Sequence, residues 1–269
     1  MDFLRQFARH FLLAVQFFTR IPITGKLAAW VGYSPDMLRR SAAHFPGVGW
    51  IVGATAAAIF GATLFLFKGQ AYSSLVAAAL STLCSVWLTG GFHEDGLADT
   101  CDGLGGGSTR EKALRIMKDS RIGSYGTLAL VLALILKISL LALLGTRSAL
   151  AGAAALAGAH VLSRAAQLPL MRGMAYVGEA DGSKAKPLAD DMSTAALAAG
   201  LLWAAPAAWL LAAVHGWGAA AAALAAMLAA LAWMACLLQR RLQGFTGDAL
   251  GATQQVCELA LYLGLAAVL

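Results

Sequence analysis

The clearest chemical signal in the sequence is a short acidic segment, residues 91–103. It holds four of the chain's 14 acidic residues, which are Glu94, Asp95, Asp99 and Asp102. If the segment is helical, the three aspartates recur at i, i+4 and i+7 and therefore share one face, with Glu94 flanking it. Carboxylates held this close repel one another, and a divalent cation relieves the repulsion.

An all-oxygen site of this kind suits Mg²⁺, which keeps water ligands and shares phosphate oxygens with a substrate. We therefore predict a metal-assisted phosphotransfer site in which Glu94, Asp95, Asp99 and Asp102 hold Mg²⁺. The alternative is a solvated acidic turn that caps a membrane span. A surface turn gives no reason for helical spacing, whereas acids this close to a bilayer usually mark a function.

The residues that follow suit a phosphate-bearing substrate. Gly105 and Gly106 let backbone N–H groups approach a phosphate, although a hinge explains them equally well. A capping box at 108–111 opens a short helix, and Lys118 and Arg121 follow near its end. Such cations would neutralise the charge of a diphosphate. Contact with lipid headgroups is the alternative for each of them.

A second glycine-rich acidic turn, residues 244–251, contains Thr246 and Asp248 and leads into the last apolar segment. Ten residues after Asp248, on the interfacial side of that segment, lies Glu258. An acid within a span is costly and points to a role, with a structural hydrogen bond to a neighbouring helix as the alternative.

The composition places these residues in a membrane protein. The chain is 59% hydrophobic and 13% charged, against about 25% charged in soluble domains. Its apolar residues form long unbroken runs, unlike the alternating strands of a β-barrel. We predict an all-α integral membrane protein, residues 1–269 forming a single membrane-embedded domain.

We expect about seven transmembrane helices, preceded by an amphipathic helix at the membrane interface. Phe3, Phe7, Phe11, Val15 and Phe18 recur at helical spacing in that first helix; a short first span is the alternative. The predicted spans lie near residues 46–67, 70–90, 126–145, 148–165, 195–214, 218–238 and 250–269.

A cytoplasmic N-terminus with seven spans puts 17 of the 20 basic residues on the inner side, as the positive-inside rule requires. The long inner loops also hold nearly every acid. We therefore expect an active face on the cytoplasmic side and a periplasmic C-terminus.

Several other classes are disfavoured. The N-terminus has no signal-peptide cleavage site, and the four cysteines form no CxxC pair that would indicate zinc or a disulfide. The net charge of +6 comes from loop residues. The sequence contains no basic cluster interleaved with aromatic residues, so nucleic-acid binding is not predicted.

Four segments in order resemble the cobalamin-5'-phosphate synthase family, also called adenosylcobinamide-GDP ribazoletransferases. The segments are residues 14–22 (AVQFFTRIP), 94–103 (EDGLADTCDG), 119–126 (DSRIGSYG) and 247–252 (GDALGA). The resemblance covers nearly the whole chain, and the acidic segment is its most specific part. Cys101 and Phe245 are mild departures that leave every carboxylate in place.

The resemblance implies the reaction and the partners. Adenosylcobinamide-GDP is joined to α-ribazole or its 5'-phosphate with release of GMP, and Mg²⁺ is the cofactor. It also implies a bacterial inner-membrane enzyme in contact with lipid, and the sequence leaves a homo-oligomer open. We assign catalysis to Asp99, Asp102 and Asp248. We assign substrate binding to His93, Gly105, Gly106, Lys118, Asp119, Arg121 and Thr246.

Two rival functions are weighed. A CDP-alcohol-type phosphotransferase also uses Asp-Gly motifs, but its pattern continues with Ala-Arg, whereas Asp95-Gly96 is followed by Leu97-Ala98-Asp99. A transporter would use Lys137 and the acids as an ion path. The acids lie in one loop at one face, which disfavours transport.

Overall fold

The computed structural model describes residues 2–178 and 192–268, and within them the fold is all-α with no named strand. The predicted fold class is confirmed. The helices are α1 (Asp2–Phe18), α2 (Gly25–Val31), α3 (Pro35–Ser41), α4 (Phe45–Leu66), α5 (Ser73–Thr89), α6 (Phe92–Gly106), α7 (Arg110–Met117), α8 (Ser124–Arg147), α9 (Ala149–Ala165), α10 (Gln167–Gly173), α11 (Thr194–His215), α12 (Trp217–Arg241) and α13 (Gly247–Ala266). Lys184 and Lys186, which are among the 17 basic residues predicted on the inner side, lie outside the described residues.

Among the described residues, five helical stretches are long and apolar enough to cross a membrane, so the protein is a multi-pass membrane protein. They are Pro35–Leu66, Ser124–Arg147, Ala149–Gly173, Thr194–His215 and Trp217–Arg241. The bent pair α5–α6 would make a sixth. Each of the seven predicted spans coincides with a helix, but α13 does not reach the hydropathy of the five. The count of seven therefore stays a prediction.

A sharp bend separates the second apolar segment from the acidic one. Gly90 and Gly91 both have left-handed backbone angles, with φ of 71° and 72°, a conformation that glycine adopts without steric cost. As a result α6 leaves α5 at 87°. Because of this bend, the acidic segment forms a separate helix and does not continue the apolar helix α5.

Helix α9 lies at the centre of the bundle. In the apolar part of Ala149–Gly173 that is long enough to span a membrane, 83% of the residues are buried. Helix α4 packs directly on it, because a Cβ atom at Gly49 would lie 2.7 Å from Cα of Val161 and one at Gly53 would lie 2.9 Å from Cα of Ala157. Small residues allow this close approach of two backbones within a membrane.

The predicted amphipathic N-terminal segment is helical, as α1. Its C-terminal half is buried against the bundle, with Ala14 fully buried and Phe18 at 4% exposure, while Leu4 is 72% exposed. The position of α1 at a membrane interface stays a prediction. Its last turn reaches the acidic helix, since the ring of Phe18 stacks on His93 with centroids 5.8 Å apart.

Candidate active site

The acidic segment forms α6, as its spacing predicts. Asp95, Asp99 and Asp102 follow one another along this helix. Asp99 is electrostatically coupled to Asp95 and Asp102 and also to Asp248, which stands at the start of α13. The two acidic segments that the sequence singled out, more than 140 residues apart, therefore meet in space.

The meeting of α6 and α13 depends on two glycines. A Cβ atom at Gly96 would lie 2.7 Å from the carbonyl oxygen of Asp248, and one at Gly251 would lie 3.4 Å from Cα of Gly96. A side chain at position 96 would push the two helices apart, whereas one at position 251 would only tighten the contact. Thr246 fixes the start of α13, because its hydroxyl accepts a hydrogen bond of 3.1 Å from the N–H of Ala249. The predicted role of Thr246 in substrate binding stays a prediction.

The carboxylates of this cluster oppose one another's ionisation. Burial, followed by the charges of Asp95, Asp248 and Asp102, raises the pKa of Asp99 to about 7. Burial and the charge of Asp95 raise the pKa of Asp248 to about 6. Both groups lie outside the five long apolar helices. Carboxyl groups with pKa values near neutrality are suited to proton transfer or to binding a cation.

Asp102 has a different environment from the other acids. Its two carboxylate oxygens accept hydrogen bonds from the backbone N–H groups of Gly123, at 2.6 Å, and Gly126, at 2.8 Å. These N–H groups lie at the beginning of the 24-residue helix α8, where a negative charge also interacts favourably with the helix dipole. Asp102 thus ties the loop that carries Lys118 and Arg121 to α6.

The donor set suits Mg²⁺ held jointly by protein and substrate. In the described part of the chain, no group of three or more histidine, cysteine or acidic residues is arranged to hold a metal alone. Mg²⁺ is usually bound by one or two carboxylates together with substrate phosphates. Asp95, Asp99 and Asp248 supply mutually repelling carboxylates, and the buried Oε2 of Glu94 has no hydrogen-bond partner. The assignment of Mg²⁺ to Glu94, Asp95, Asp99 and Asp102 stays a prediction. Both oxygens of Asp102 already accept backbone hydrogen bonds, so Asp248 fits the role of a ligand better than Asp102 does.

His93 and Glu94 face the protein interior at the first turn of α6. His93 is 1% exposed, and its Nε2 has no hydrogen-bond partner among the described residues. Burial lowers the pKa of His93 well below its usual value, so the ring is neutral. Oε1 of Glu94 accepts a hydrogen bond of 2.9 Å from the side-chain amide of Gln255. Any contact of His93 with substrate stays a prediction.

The glycines after the acidic segment are packed against other residues. Gly105 and Gly106 belong to the last turn of α6, where free carbonyl groups, not free N–H groups, are exposed. A Cβ atom at Gly105 would lie 2.5 Å from the ring of Tyr125. Arg241 binds the end of this helix, donating to the carbonyl oxygens of Leu104 and Gly107 at 2.9 and 2.8 Å. Close packing explains Gly105, whereas a Cβ atom at the exposed Gly106 would meet the end of the Ile116 side chain at 3.3 Å. The role of both glycines in binding phosphate stays a prediction.

The basic segment lies on the surface. Asp119 and Arg121 form a bidentate ion pair, with Nε of Arg121 at 2.9 and 3.1 Å from the two carboxylate oxygens, and the Arg121 side chain is 86% exposed. The pair lowers the pKa of Asp119 to about 2, through hydrogen bonds from the Arg121 side chain and backbone. Lys118 follows the last residue of α7 directly. Substrate binding by these three residues stays a prediction.

The sequence reading missed three groups around this site. Gln255 contacts Glu94, Arg241 binds the end of α6, and aromatic rings of Phe18, Phe92 and Phe245 stand near the start of α13. Arg241 was visible only as an inner-face cation, and Gln255 only as a polar residue in an apolar segment. Neither feature of the sequence shows that the residue contacts α6.

Glu258 lies deep in the bundle, in the middle of α13, and is 1% exposed. The expectation that it lies on the interfacial side of a span stays a prediction, because burial among helices does not give its depth in a membrane. Its carboxylate is 2.7 Å from Nζ of Lys137 on α8. Residue 258 lies near the midpoint of α13, which packs against α6, α8, α9 and α12.

Residues 10–266 match the family model for cobalamin-5-phosphate synthase. The chain is 54% identical to the adenosylcobinamide-GDP ribazoletransferase of Albidiferax ferrireducens, over 97% of this chain and 98% of the relative. It is 52% identical to that of Polaromonas naphthalenivorans, over 97% and 98%, and 42% identical to that of Vibrio cholerae, over 96% and 94%. No solved structure matches the chain.

Proposed function

The chain belongs to the cobalamin-5-phosphate synthase family, and from this we propose the reaction that it catalyses. It joins adenosylcobinamide-GDP to α-ribazole or α-ribazole 5'-phosphate. GMP is released, and the product is adenosylcobalamin or its 5'-phosphate. The substrates are those in the names of its relatives, which the chain matches over nearly its full length.

One observation supports placing the chemistry at α6. Asp95 and Asp99 on α6 approach Asp248 at the start of α13 closely enough for their charges to interact. Bound Mg²⁺ would offset the negative charge of the diphosphate and make GMP a better leaving group. Asp95 and Asp99 would hold it, with Glu94 beside them.

The remaining steps use the side chains alone. A hydroxyl oxygen of the ribazole forms a bond to the phosphorus on the cobinamide side, and the bond from that phosphorus to the GMP oxygen breaks. The hydroxyl proton passes to Asp248, whose pKa of about 6 lets it accept a proton near neutral pH. Lys118 and Arg121 neutralise the diphosphate. Asp102 holds the loop that carries them.

The active face is proposed to be cytoplasmic in a bacterial inner membrane. The support is the concentration of basic residues in the loops that alternate with the apolar helices. The family match disfavours both rivals, the CDP-alcohol phosphotransferase and the transporter.

The test is release of GMP by the purified protein in liposomes. Adenosylcobinamide-GDP is supplied with or without α-ribazole phosphate, and with Mg²⁺ or EDTA. We expect release only when the acceptor and Mg²⁺ are both present. Release without an acceptor would make the protein a hydrolase, and no release from folded protein with all components would reject the proposed reaction.

A further inference from the structure

A chain of buried hydrogen bonds runs from the acidic helix into the middle of the bundle. We call it the buried polar network, and it consists of Glu94, Lys137, His160, Ser163, Arg164, Gln254, Gln255, Glu258 and Tyr262. Its members come from four helices, α6, α8, α9 and α13. Apart from Glu94, every member is at most 4% exposed.

The two glutamines give this network a direction. Nε2 of Gln255 donates to Oε1 of Glu94 at 2.9 Å and to Oε1 of Gln254 at 3.0 Å. Nε2 of Gln254 donates to Oε2 of Glu258 at 2.7 Å and to Oγ of Ser163 at 2.8 Å. Each amide therefore donates both its hydrogens, and each points one of them at a carboxylate. Neither amide can rotate without losing a buried hydrogen bond.

The far end of the network is anchored. Oε1 of Glu258 receives Nζ of Lys137 at 2.7 Å and the hydroxyl of Tyr262 at 3.0 Å. Replacement of a buried ion pair by apolar residues is often neutral or stabilising. Charged groups this deep in a membrane protein therefore point to a function other than stability alone.

Glu94 is the one member of the network that lies in the acidic segment, next to Asp95 in the first turn of α6. One of its oxygens is held by Gln255, and the other, Oε2, is buried without a partner. Groups that hold a metal ligand through a hydrogen bond fix its orientation, and their loss typically costs about 10–100-fold in metal affinity or activity. The hydrogen bond from Gln255 to Oε1 of Glu94 has this form, and it leaves Oε2 free for a cation.

We propose that Gln255 is a positioning residue that holds Glu94 as a ligand for a divalent cation, with Gln254, Glu258 and Lys137 fixing Gln255 in turn. This inference rests on the proposed function, because it takes Glu94 as part of the metal site. Gln255 does not contact the reacting atoms. It acts through one hydrogen bond to one carboxylate.

The test is direct binding of Mn²⁺, a paramagnetic substitute for Mg²⁺, to the full-length protein in nanodiscs, followed by electron paramagnetic resonance. Gln255→Leu keeps the approximate volume and removes both donors. We expect its Kd for Mn²⁺ to rise about tenfold or more, the range for a lost partner of a metal ligand. At saturating Mg²⁺ the KM for the ribazole should stay near the wild-type value, since both hydrogens of the buried Gln255 amide are donated to protein groups.

Thr253→Val is the matched control. Thr253 precedes the two glutamines on α13 and is fully buried, but its hydroxyl donates only to the carbonyl oxygen of Ala249 in its own helix. We expect wild-type Mn²⁺ binding from this variant. A tenfold loss in Thr253→Val as well would overturn the proposal, because any disturbance of α13 would then have the same effect.

A double-mutant comparison separates positioning from general damage. If Gln255 acts through Glu94, then Gln255→Leu should add no loss of Mn²⁺ affinity to a Glu94→Gln protein. Additive losses, or a folded Gln255→Leu protein that binds Mn²⁺ like the wild type, would overturn the inference while leaving the transferase reaction standing. GMP release that persists undiminished in EDTA would instead remove the metal from the proposed function, and this inference with it.

Discussion

At the scale of single residues, the site is defined by carboxylates that repel one another when all of them are ionised. Asp99 and Asp248 approach each other and Asp95 from two helices, and each is partly buried. Repulsion of this kind is unfavourable in the empty site and is relieved when a cation or a proton binds. The cost is acceptable where the binding of that cation is the function.

The raised pKa values predict how metal binding depends on pH. In the metal-free protein Asp99 and Asp248 keep their protons up to about pH 7 and 6, so a cation must displace them at lower pH. We expect Mn²⁺ affinity to rise between pH 5 and 8, with protons released on binding, as measured by calorimetry in buffers of different ionisation enthalpy. Affinity that is constant over this range would contradict the account.

The same pKa values predict that the folding stability of the metal-free protein falls as pH rises, whereas its affinity for Mn²⁺ rises. Both pKa values are above the ordinary 3.8, so the folded state favours the protonated forms. Stability from these groups is therefore present below about pH 4 and lost as pH rises towards 7. In EDTA the thermal midpoint should fall over this window, and excess Mg²⁺ should reduce the fall. An identical decline with and without Mg²⁺ would show that no cation binds these groups.

Substitutions of Asp102 can show whether this carboxylate binds the metal or only holds the beginning of α8. Asp102→Ala removes the acceptor of two N–H groups and should cost about 1–2 kcal/mol of stability, as for a lost helix cap. Asp102→Asn keeps one acceptor oxygen, so Mn²⁺ affinity should remain close to wild type. If the asparagine variant is stable but no longer binds Mn²⁺, Asp102 is a ligand after all.

Asp102 also shows where sequence reasoning ends. The i+7 spacing placed it correctly on the helix with Asp95 and Asp99. Its partners, Gly123 and Gly126, come from the beginning of another helix. Helical periodicity describes only one helix, so it cannot show that this carboxylate faces the end of a neighbour.

At the scale of elements, the site depends on the crossing of α6 and α13. Helix α6 exists as a separate element because Gly90 and Gly91 turn the chain by 87°. It reaches α13 because Gly96 and Gly251 leave room for backbone contact. The sequence predicted all seven apolar helices, since long apolar runs are a local signal. It did not predict the bend or the crossing, because both depend on which backbones approach each other.

Gly96→Ala tests that crossing. The new methyl group would lie 2.7 Å from the carbonyl oxygen of Asp248, so α13 must move and carry Asp248 away from Asp99. We expect a destabilisation of about 1–3 kcal/mol, typical of overpacking, together with loss of GMP release.

The control is Gly61→Ala in α4. A Cβ atom there meets nothing within 4 Å, so we expect stability unchanged or increased by up to about 1 kcal/mol and activity unchanged. Equal losses in the two variants, measured by thermal unfolding and GMP release, would show that the crossing has no special importance.

At the scale of the whole molecule, the open question is how many helices cross the membrane. Five described stretches qualify and the bent pair makes a sixth, whereas the charge pattern favoured seven. Helix α13 decides the difference, because it is surrounded by other helices and its hydropathy is lowered by residues of the buried polar network. Composition could identify a membrane protein but could not separate a lipid-facing span from an enclosed helix.

A pair of C-terminal fusions tests the orientation. With a cytoplasmic N-terminus and seven spans, Leu269 is periplasmic, so fused alkaline phosphatase should be active and fused green fluorescent protein dark. The reverse pattern would indicate an even number of spans. A fusion after Arg115, in the predicted cytoplasmic loop, is the control and should show fluorescence without phosphatase activity.

The most direct test of the central claim compares GMP release by the wild type and by Asp99→Asn across Mg²⁺ concentrations. Asparagine keeps the size of the side chain and removes the charge that faces Asp95 and Asp248. The account predicts ribazole-dependent release by the wild type. In the folded variant it predicts a fall on the order of 10²-fold or more, as for loss of a preorganised electrostatic group, with a higher Mg²⁺ requirement. A variant with wild-type rate and unchanged Mg²⁺ dependence would show that the chemistry lies elsewhere in the protein.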